Sequence, residues 1–263
     1  MTEFRHAEKC MGTVFQYWGN ADRDSVDLDL ALEKSVSVLH EADETFSLYK
    51  PESPVSKLAR GEVSIKDLPE IVEYIWDECE KWEVITDGYF SAMTAKNTFD
   101  PSGLVKSWAT NNAALKLEEL GITDFAINAG GDIRLSKHRS SGLAKRIGVS
   151  KPVSIATSNS EALTVLDLND ADLFAVATSG TAERGEHIWN PRAGRTAANE
   201  LAQVSVIASD IVTADVFATA LFAAGKQANQ LLEKHAGEFE AIVVDLDGKT
   251  FLTPGVTKLL APL

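Results

Sequence analysis

Apolar residues recur with helical spacing in several stretches of the chain. Between Asp22 and Phe46, the positions Val26, Leu32, Val36, Leu39 and Phe46 fall close enough to a 3.6-residue period to predict a long amphipathic helix. From Asp67 to Ile85 the stripe is cleaner, because Leu68, Ile71, Val72, Ile75, Trp76, Cys79 and Trp82 follow the i, i+3, i+4, i+7 order of one buried face. A further helix is predicted from Leu104 to Leu120, stopping at Gly121, where the missing Cβ suits a left-handed cap. A short strand, GTVFQYWG, precedes the first helix. The segment from Thr86 to Gly103 contains TDG, SAMTAKN and DPSG, so it is expected to run as exposed backbone rather than core. So long a loop in a compact domain is usually functional.

The second half changes period. FAIN, KRIGV, LTVLDL, LFAVATSG, HIW, QVSVIAS and EAIVVDLDG read as short strands, with Asp247-Gly248 marking a hairpin turn. One helix, from about Thr213 to Ala224 and closed by Gly225, interrupts them. Strands that cluster instead of alternating regularly with helices predict an α+β fold, with a largely antiparallel or mixed sheet packed with helices. The 263 residues contain no internal repeat and no linker, so one compact domain over 1–263 is expected.

Charge narrows the partners. Lys and Arg number 25 against 39 Asp and Glu, a net charge of −14, which repels nucleic acid and anionic membranes. An anionic substrate would need a local cation or a metal ion to reverse that field. Cys10 and Cys79 are too few for a disulfide framework, and Cys79 lies on the apolar stripe of its helix. No apolar run reaches the length of a membrane span, and the opening MTEFRHAEKCMG lacks the basic-then-apolar order of a signal peptide. A cytoplasmic location is the resulting expectation.

Four clusters carry candidate chemistry. In FDPSGLVKSWATNNA, Asp100 and Gly103 precede Lys106 at the start of a helix, where free amides and a cation suit a phosphate, although for this motif alone a capped helix with a surface lysine is the more ordinary reading. In INAGGDIRL, Gly130 and Gly131 allow close backbone approach, with Asn128 and Asp132 as flanking hydrogen-bonding groups; a tight hairpin is the ordinary alternative. The stretch ATSGTAERGEHIWNPRAGRTA gathers Thr178, Ser179, Gly180, His187, Asn190 and Arg192, and an oriented His187 can act as a general base near neutral pH. In SDIVTADVFATALFAAG, Asp215 and Thr219 lie one helical turn apart, two oxygen donors suited to a hard cation or, more plainly, to the helix itself.

Taken in order, MGT at Met11 to Thr13, FSLYKPESPVSKL, DPSGLVKSWA, NAGGDI, TSG…HIWNPRAG and TADVFATALFAAG resemble the motifs of the FAD:protein FMN transferase family, the ApbE-type flavin transferases. The resemblance spans nearly the whole chain. It implies an enzyme that binds FAD, uses Mg²⁺ and moves FMN onto a Thr or Ser of a target flavoprotein, releasing AMP. By resemblance, Met11, Tyr49, Asp100, Lys106 and His187 fall at FAD-contacting positions, and the Gly103 carbonyl, Asp215 and Thr219 at metal-holding ones. Phe90, Ser91 and Ala92 resemble a flavin-contacting turn, Asn128 to Asp132 a glycine-rich flavin wall, and Thr178 to Gly180 a further part of the FAD site. His187, Asp215 and Lys106 are the catalytic candidates, with His187 as base for the acceptor hydroxyl. Mn²⁺ satisfies the same oxygen ligands as Mg²⁺. The chain departs from the family pattern at Ser102 and Ser107 in place of glycines, at Asn111, Ser91 and Asn190 in place of aspartates, and in a shortened stretch between Phe90 and Asp100. A Mg²⁺-dependent FAD pyrophosphatase and a non-catalytic FAD-binding protein are the competing functions.

Overall fold

The structure, a computed structural model, describes residues 2–137, 145–156, 158, 161–169, 171–180, 189–196 and 201–261. The chain divides into two compact units, Met1–Ile85 with Ser91–Leu143, and Thr86–Phe90 with Ala144–Leu263.

In the first unit, β1 (Thr2–Cys10) and β2 (Thr13–Ala21) form an antiparallel hairpin. Met11 and Gly12 make its two-residue turn with φ of 52° and 71°, the left-handed pair that matches strand twist. The helix α1 (Leu28–Phe46) begins later than the apolar pattern predicts, because the Asp27 carboxylate accepts from the Leu30 amide and fixes the N-cap there. Its buried stripe also differs. Ala31, Ser35, Leu39, Ala42 and Phe46 face inward, while Leu32 and Val36 are half-buried. The small Ala31 and Ser35 let a neighbouring helix approach, and the Ser35 hydroxyl donates to the Ala113 carbonyl at 2.9 Å.

A short helix, α2 (Pro54–Ala59), follows Ser53, whose hydroxyl caps it and whose next residue, Pro54, suits the first turn. In α3 (Glu70–Ile85), Val72, Ile75 and Cys79 are buried. The face is narrower than the stripe suggested, since Ile71 is among the exposed apolar residues. The helix α4 (Ser102–Glu119) is buried around most of its girth and packs along α1. Its inward hydroxyls are satisfied locally, Ser107 donating to the Leu104 carbonyl and Thr110 to that of Lys106. Gly121, with φ of 85°, ends it as expected. The strands β3 (Asp124–Ala129) and β4 (Asp132–Leu135) complete the antiparallel order β1-β2-β3-β4.

The segment between α3 and α4 corrects the expectation of exposed backbone. Tyr89, Phe90, Ala92 and Phe99 are all buried. Its turn residues fold the chain back, with Asp87, Gly88 and Asn97 at positive φ, and so direct the apolar side chains between them inward. Phe99 packs against Trp76 at a ring separation of 4.5 Å. Thr86–Phe90 belongs to the second unit, where the Arg192 guanidinium lies over the Tyr89 ring at 4.8 Å and Lys234 pairs with Asp87 at 2.6 Å.

The second unit pairs β5 (Arg146–Ser150) with β6 (Ala162–Asp167). Its larger ladder runs in antiparallel order from β7 (Ala175–Gly180) through β10 (Leu201–Ala208) and β11 (Glu240–Asp245) to β12 (Thr250–Leu252). Between β7 and β10 in sequence, β8 (Trp189–Asn190) and β9 (Arg195–Thr196) pair with each other. Every residue of β10 is buried. The apolar helix α5 (Ile211–Ala224) packs on β7 and β10, capped by the Asp210 carboxylate at one end and closed by Gly225, φ 57°, at the other. Two shorter helices, α6 (Ala228–Lys234) and α7 (Val256–Leu259), follow. The predicted Asp247-Gly248 turn joins β11 to β12, with Gly248 at φ 82°. The α+β class with an antiparallel sheet is therefore what the chain adopts. No described helix is long and apolar enough to cross a membrane.

Candidate active site

In the first unit, the pairing of Phe15 with Ala129 sets two hairpin tips side by side, Met11-Gly12 from β1–β2 and Gly130-Gly131 from β3–β4. The contact is tight: a Cβ on Gly130 would lie 2.5 Å from the Thr13 hydroxyl oxygen. Asn128 stiffens the second tip by accepting from the Gly131 amide at 2.7 Å. The turn reading of these glycines is what the structure shows, a tip whose backbone is bare and fixed.

Asp132 opens β4 directly after that tip and is buried, its side chain 5% exposed. It pairs with Lys106 of α4, whose side chain is 23% exposed. At the start of α4 the Asp100 carboxylate accepts from the Ser102 amide at 3.0 Å, and its own amide donates to the Ala92 carbonyl at 2.7 Å. Asp100 thus ties down the first residue of the helix that carries Lys106, with Gly103 exposed in its first turn. Ser91 donates to the Glu83 carboxylate at 2.8 Å and accepts from the Met93 amide, so its hydroxyl shapes the turn. Ala92 is buried beside it. Tyr49 stands apart on the connection from α1 to α2, 98% exposed.

Cys10 immediately precedes Met11, and its thiol donates to the Leu39 carbonyl at 3.4 Å. Burial, with the Asp43 carboxylate nearby, pushes it up to about 11, so it is no nucleophile at neutral pH.

In the second unit, alternation along β7 sends Thr178 and Ser179 to opposite faces. The Thr178 hydroxyl meets that of Ser205 at 2.8 Å, and the Ser179 hydroxyl lies 3.3 Å from that of Thr219 on α5. Asp215 lies one turn before Thr219, buried at 7% exposure on a helix otherwise lined by Val216, Phe217 and Leu221. A carboxylate at that depth is costly unless compensated. It is one helical turn from Thr219, whose hydroxyl meets that of Ser179, so the side-chain groups named here are all oxygen donors. That chemistry fits a hard divalent cation. Among the described residues no three His, Cys, Asp or Glu side chains gather as a metal cluster, so a cation here would lean on hydroxyl and carbonyl oxygens beside the one carboxylate. Phe90 is buried within this unit, its amide bonded to the Thr86 hydroxyl. Gly180 ends β7, where an added Cβ would stand 2.9 Å from the Ala202 carbonyl oxygen. His187 lies outside the described residues.

Sequence reasoning did not foresee the part of Thr13, because only the β2–β3 register brings it against Gly130. Nor did it pair Lys106 with Asp132, although opposite charges on two motifs were the available signal.

The fold is that of the ApbE proteins. The ApbE protein of Thermotoga maritima matches at a TM-score of 0.81, with 18% identity over 99% of this chain and 100% of that one. Flavin transferase ApbE from Vibrio cholerae matches at 0.82, with 18% identity over 98% and 99%. Among relatives by sequence, the FAD:protein FMN transferase of Vibrio cholerae is 29% identical over 136 residues, 49% of this chain. That of Haemophilus influenzae is 29% identical over 145 residues, 52% of this chain. The matches span only 39% and 40% of those two relatives' own length. The ApbE family model matches residues 93–243, more than half of the chain. This protein belongs to the ApbE family.

Proposed function

We propose that this protein is an FAD:protein FMN transferase that uses Mg²⁺. An acceptor Thr or Ser hydroxyl on a target flavoprotein forms a new O–P bond to the FMN phosphorus, the diphosphate P–O bond breaks, and AMP leaves with the electron pair. His187 takes the hydroxyl proton. Asp215 and Thr219, with Ser179 beside them, hold the cation, which when bound polarises the phosphoryl group and neutralises charge on the departing AMP. Lys106 supplies the local positive charge that a diphosphate needs on a chain of net charge −14. The paired hairpin tips, Met11-Gly12 and Gly130-Gly131, offer bare backbone to the flavin ring. Catalysis on this reading is chiefly positioning and electrostatics.

The observation that carries the proposal is the buried Asp215 carboxylate one turn from the Thr219–Ser179 hydroxyl pair, in a member of a family whose relatives bear that name. The test is to incubate the protein with FAD, Mg²⁺ and an acceptor fragment carrying a target threonine, with and without EDTA, and to follow acceptor mass and AMP together. A metal-dependent mass gain of one FMN, matched by AMP and lost in Asp215→Ala, is the expected result. AMP with free FMN and no mass gain would assign hydrolysis instead, and transfer that survives Asp215→Ala would overturn the metal assignment.

A further inference from the structure

Resting on that reading, with Phe90 as a flavin contact, we infer that Asn190 is a positioning residue. Its side-chain amide clasps the β8–β9 turn to the C-terminal end of α5, and through that turn it sets Arg192 against the segment that carries Phe90. Both ends of the amide are used. Its Oδ1 accepts from the Ala193 amide at 2.9 Å, while the Asn190 backbone carbonyl accepts from the Gly194 amide at 3.0 Å, which closes the turn with Gly194 at φ 62°. Its Nδ2 donates to the Ala223 carbonyl at 2.6 Å, 33 residues further along the chain.

The acceptor explains the side chain. Ala223 lies in the last turn of α5, where carbonyls find no amide four residues on within the helix. Those of Leu221 and Phe222 accept from the Gly225 amide, and that of Ala223 takes its donor from Asn190. This end of a helix carries partial negative charge, so it attracts an N–H and repels a carboxylate. Asn190→Asp therefore keeps the acceptor for Ala193 and loses the donor for Ala223, with almost no change in size.

What the clasp positions lies two residues on. The Arg192 guanidinium lies over the Tyr89 ring at 4.8 Å, and its stem passes Gly88, where an added Cβ would stand 3.6 Å from the Arg192 Cγ. Tyr89 and Phe90 are buried neighbours, their amides both bonded to Thr86, one to its carbonyl at 3.0 Å and the other to its hydroxyl at 3.1 Å. Arg192 is exposed and long, so its place over the ring depends on where its backbone is held. Asn190, Arg192, Thr86–Phe90 and α5 all belong to the second unit, so the brace is internal to one compact body. Because α5 also carries Asp215 and Thr219, the clasp refers the segment of Phe90 to the helix of the proposed cation donors.

The experiment measures FAD affinity by flavin fluorescence, without acceptor, for the full chain as wild type, Asn190→Asp, Asn190→Ala, Arg192→Met and the double variant Asn190→Asp with Arg192→Met. At about pH 8, where a carboxyl is ionised, both Asn190 variants are expected to bind about tenfold more weakly, the scale of one lost hydrogen bond. In the Arg192→Met background Asn190→Asp is expected to add no further loss, because the clasp acts through Arg192. On acidification to about pH 5 the introduced carboxyl takes up a proton, favoured by the carbonyl and the helix end, and regains a donor. Asn190→Asp is then expected to recover toward wild type, and Asn190→Ala is not. Arg192, Asp87 and Lys234, the charged groups in contact at this turn and the segment it packs on, are present in both variants and cancel in that comparison. Wild-type affinity in Asn190→Asp at the higher pH, the same pH profile in both Asn190 variants, or additive losses in the double variant would each overturn the proposal. Arg192→Met changes only an exposed side chain, and unchanged affinity in it would overturn the proposal by itself. Should Asn190→Asp be unfolded at the higher pH, refolding on acidification that Asn190→Ala lacks supports the clasp, and its absence overturns it. A wild-type chain that binds FAD but transfers nothing would overturn the transferase reading and leave these affinities to decide the role of Asn190. One that binds no FAD would overturn both.

Discussion

Gly130 gives the sharpest quantitative test of the site's construction. Its φ is 66°, and a Cβ there would meet the Thr13 hydroxyl oxygen at 2.5 Å while standing 3.4 Å from the Thr13 Cβ. Gly130→Ala thus carries two separable costs. Left-handed backbone with a side chain costs roughly 1–2 kcal/mol, and forcing an atom into a filled space adds about 1–3 kcal/mol. Removing the hydroxyl by Thr13→Ala eliminates the second cost and leaves the first, because the remaining 3.4 Å approach is close to ordinary contact. Urea unfolding of the wild type, both single variants and the double variant isolates the difference, with any cost of Thr13→Ala itself cancelling in the cycle. Gly130→Ala is expected to cost roughly 2–5 kcal/mol in the wild-type background and roughly 1–2 kcal/mol in the Thr13→Ala background. Equal costs in the two backgrounds would refute the packing of one tip against the other, and with it the account of why this turn holds Asn128 and Asp132 in place.

Two further outcomes follow from buried groups. Burial above all pushes Cys10 up to about 11 and Cys79 up to about 12, from 9.0, and Tyr17 up to about 12, from 10.0. Above pH 9 the unfolded chain sheds these protons while the folded chain still holds them, so stability is full below that pH and falls as pH rises through about 11 to 12. Urea midpoints should decline over that alkaline range, and less steeply in Cys79→Ala; a midpoint that stays level would contradict the burial of these groups. Ser35→Ala removes the donor to the Ala113 carbonyl between α1 and α4 without opening a large cavity. It should cost about 1–3 kcal/mol, read as a lower melting temperature, and an unchanged melt would mean that water or another donor replaces the hydroxyl.

Elements marked by strong punctuation were legible from sequence. Gly121 and Gly225 close α4 and α5 where the missing Cβ permits positive φ, and Asp247-Gly248 turns β11 into β12. The first strand was not legible, because TEFRHAEKC buries only Phe4 and Cys10 and otherwise shows charge to solvent. Its strand state comes from a partner, β2, and a strand of this kind at the margin of a sheet carries polar residues on both faces. The stripe of α1 was misplaced for a related reason. A period search weights large apolar residues, yet the fully buried positions of α1 include the small Ala31 and Ser35, the latter bonded across to Ala113 of α4.

The site divides in the same way. Its glycines and charges stand out in sequence because each is chemically unusual in its setting, and their order carries the family resemblance. What each one does depends on pairings across long separations that composition does not encode: Thr13 with Gly130, Lys106 with Asp132, Ser179 with Thr219. Asp132 shows the consequence most directly. Read as part of NAGGDI, it is one more polar group beside the glycines; buried and placed against Lys106, it is one half of an ion pair that joins β4 to α4. The turn glycines matter for the same reason, since their positive φ sets the backbone from which Asp132 starts β4. A motif therefore names the atoms available, and the sheet register decides which of them are brought together.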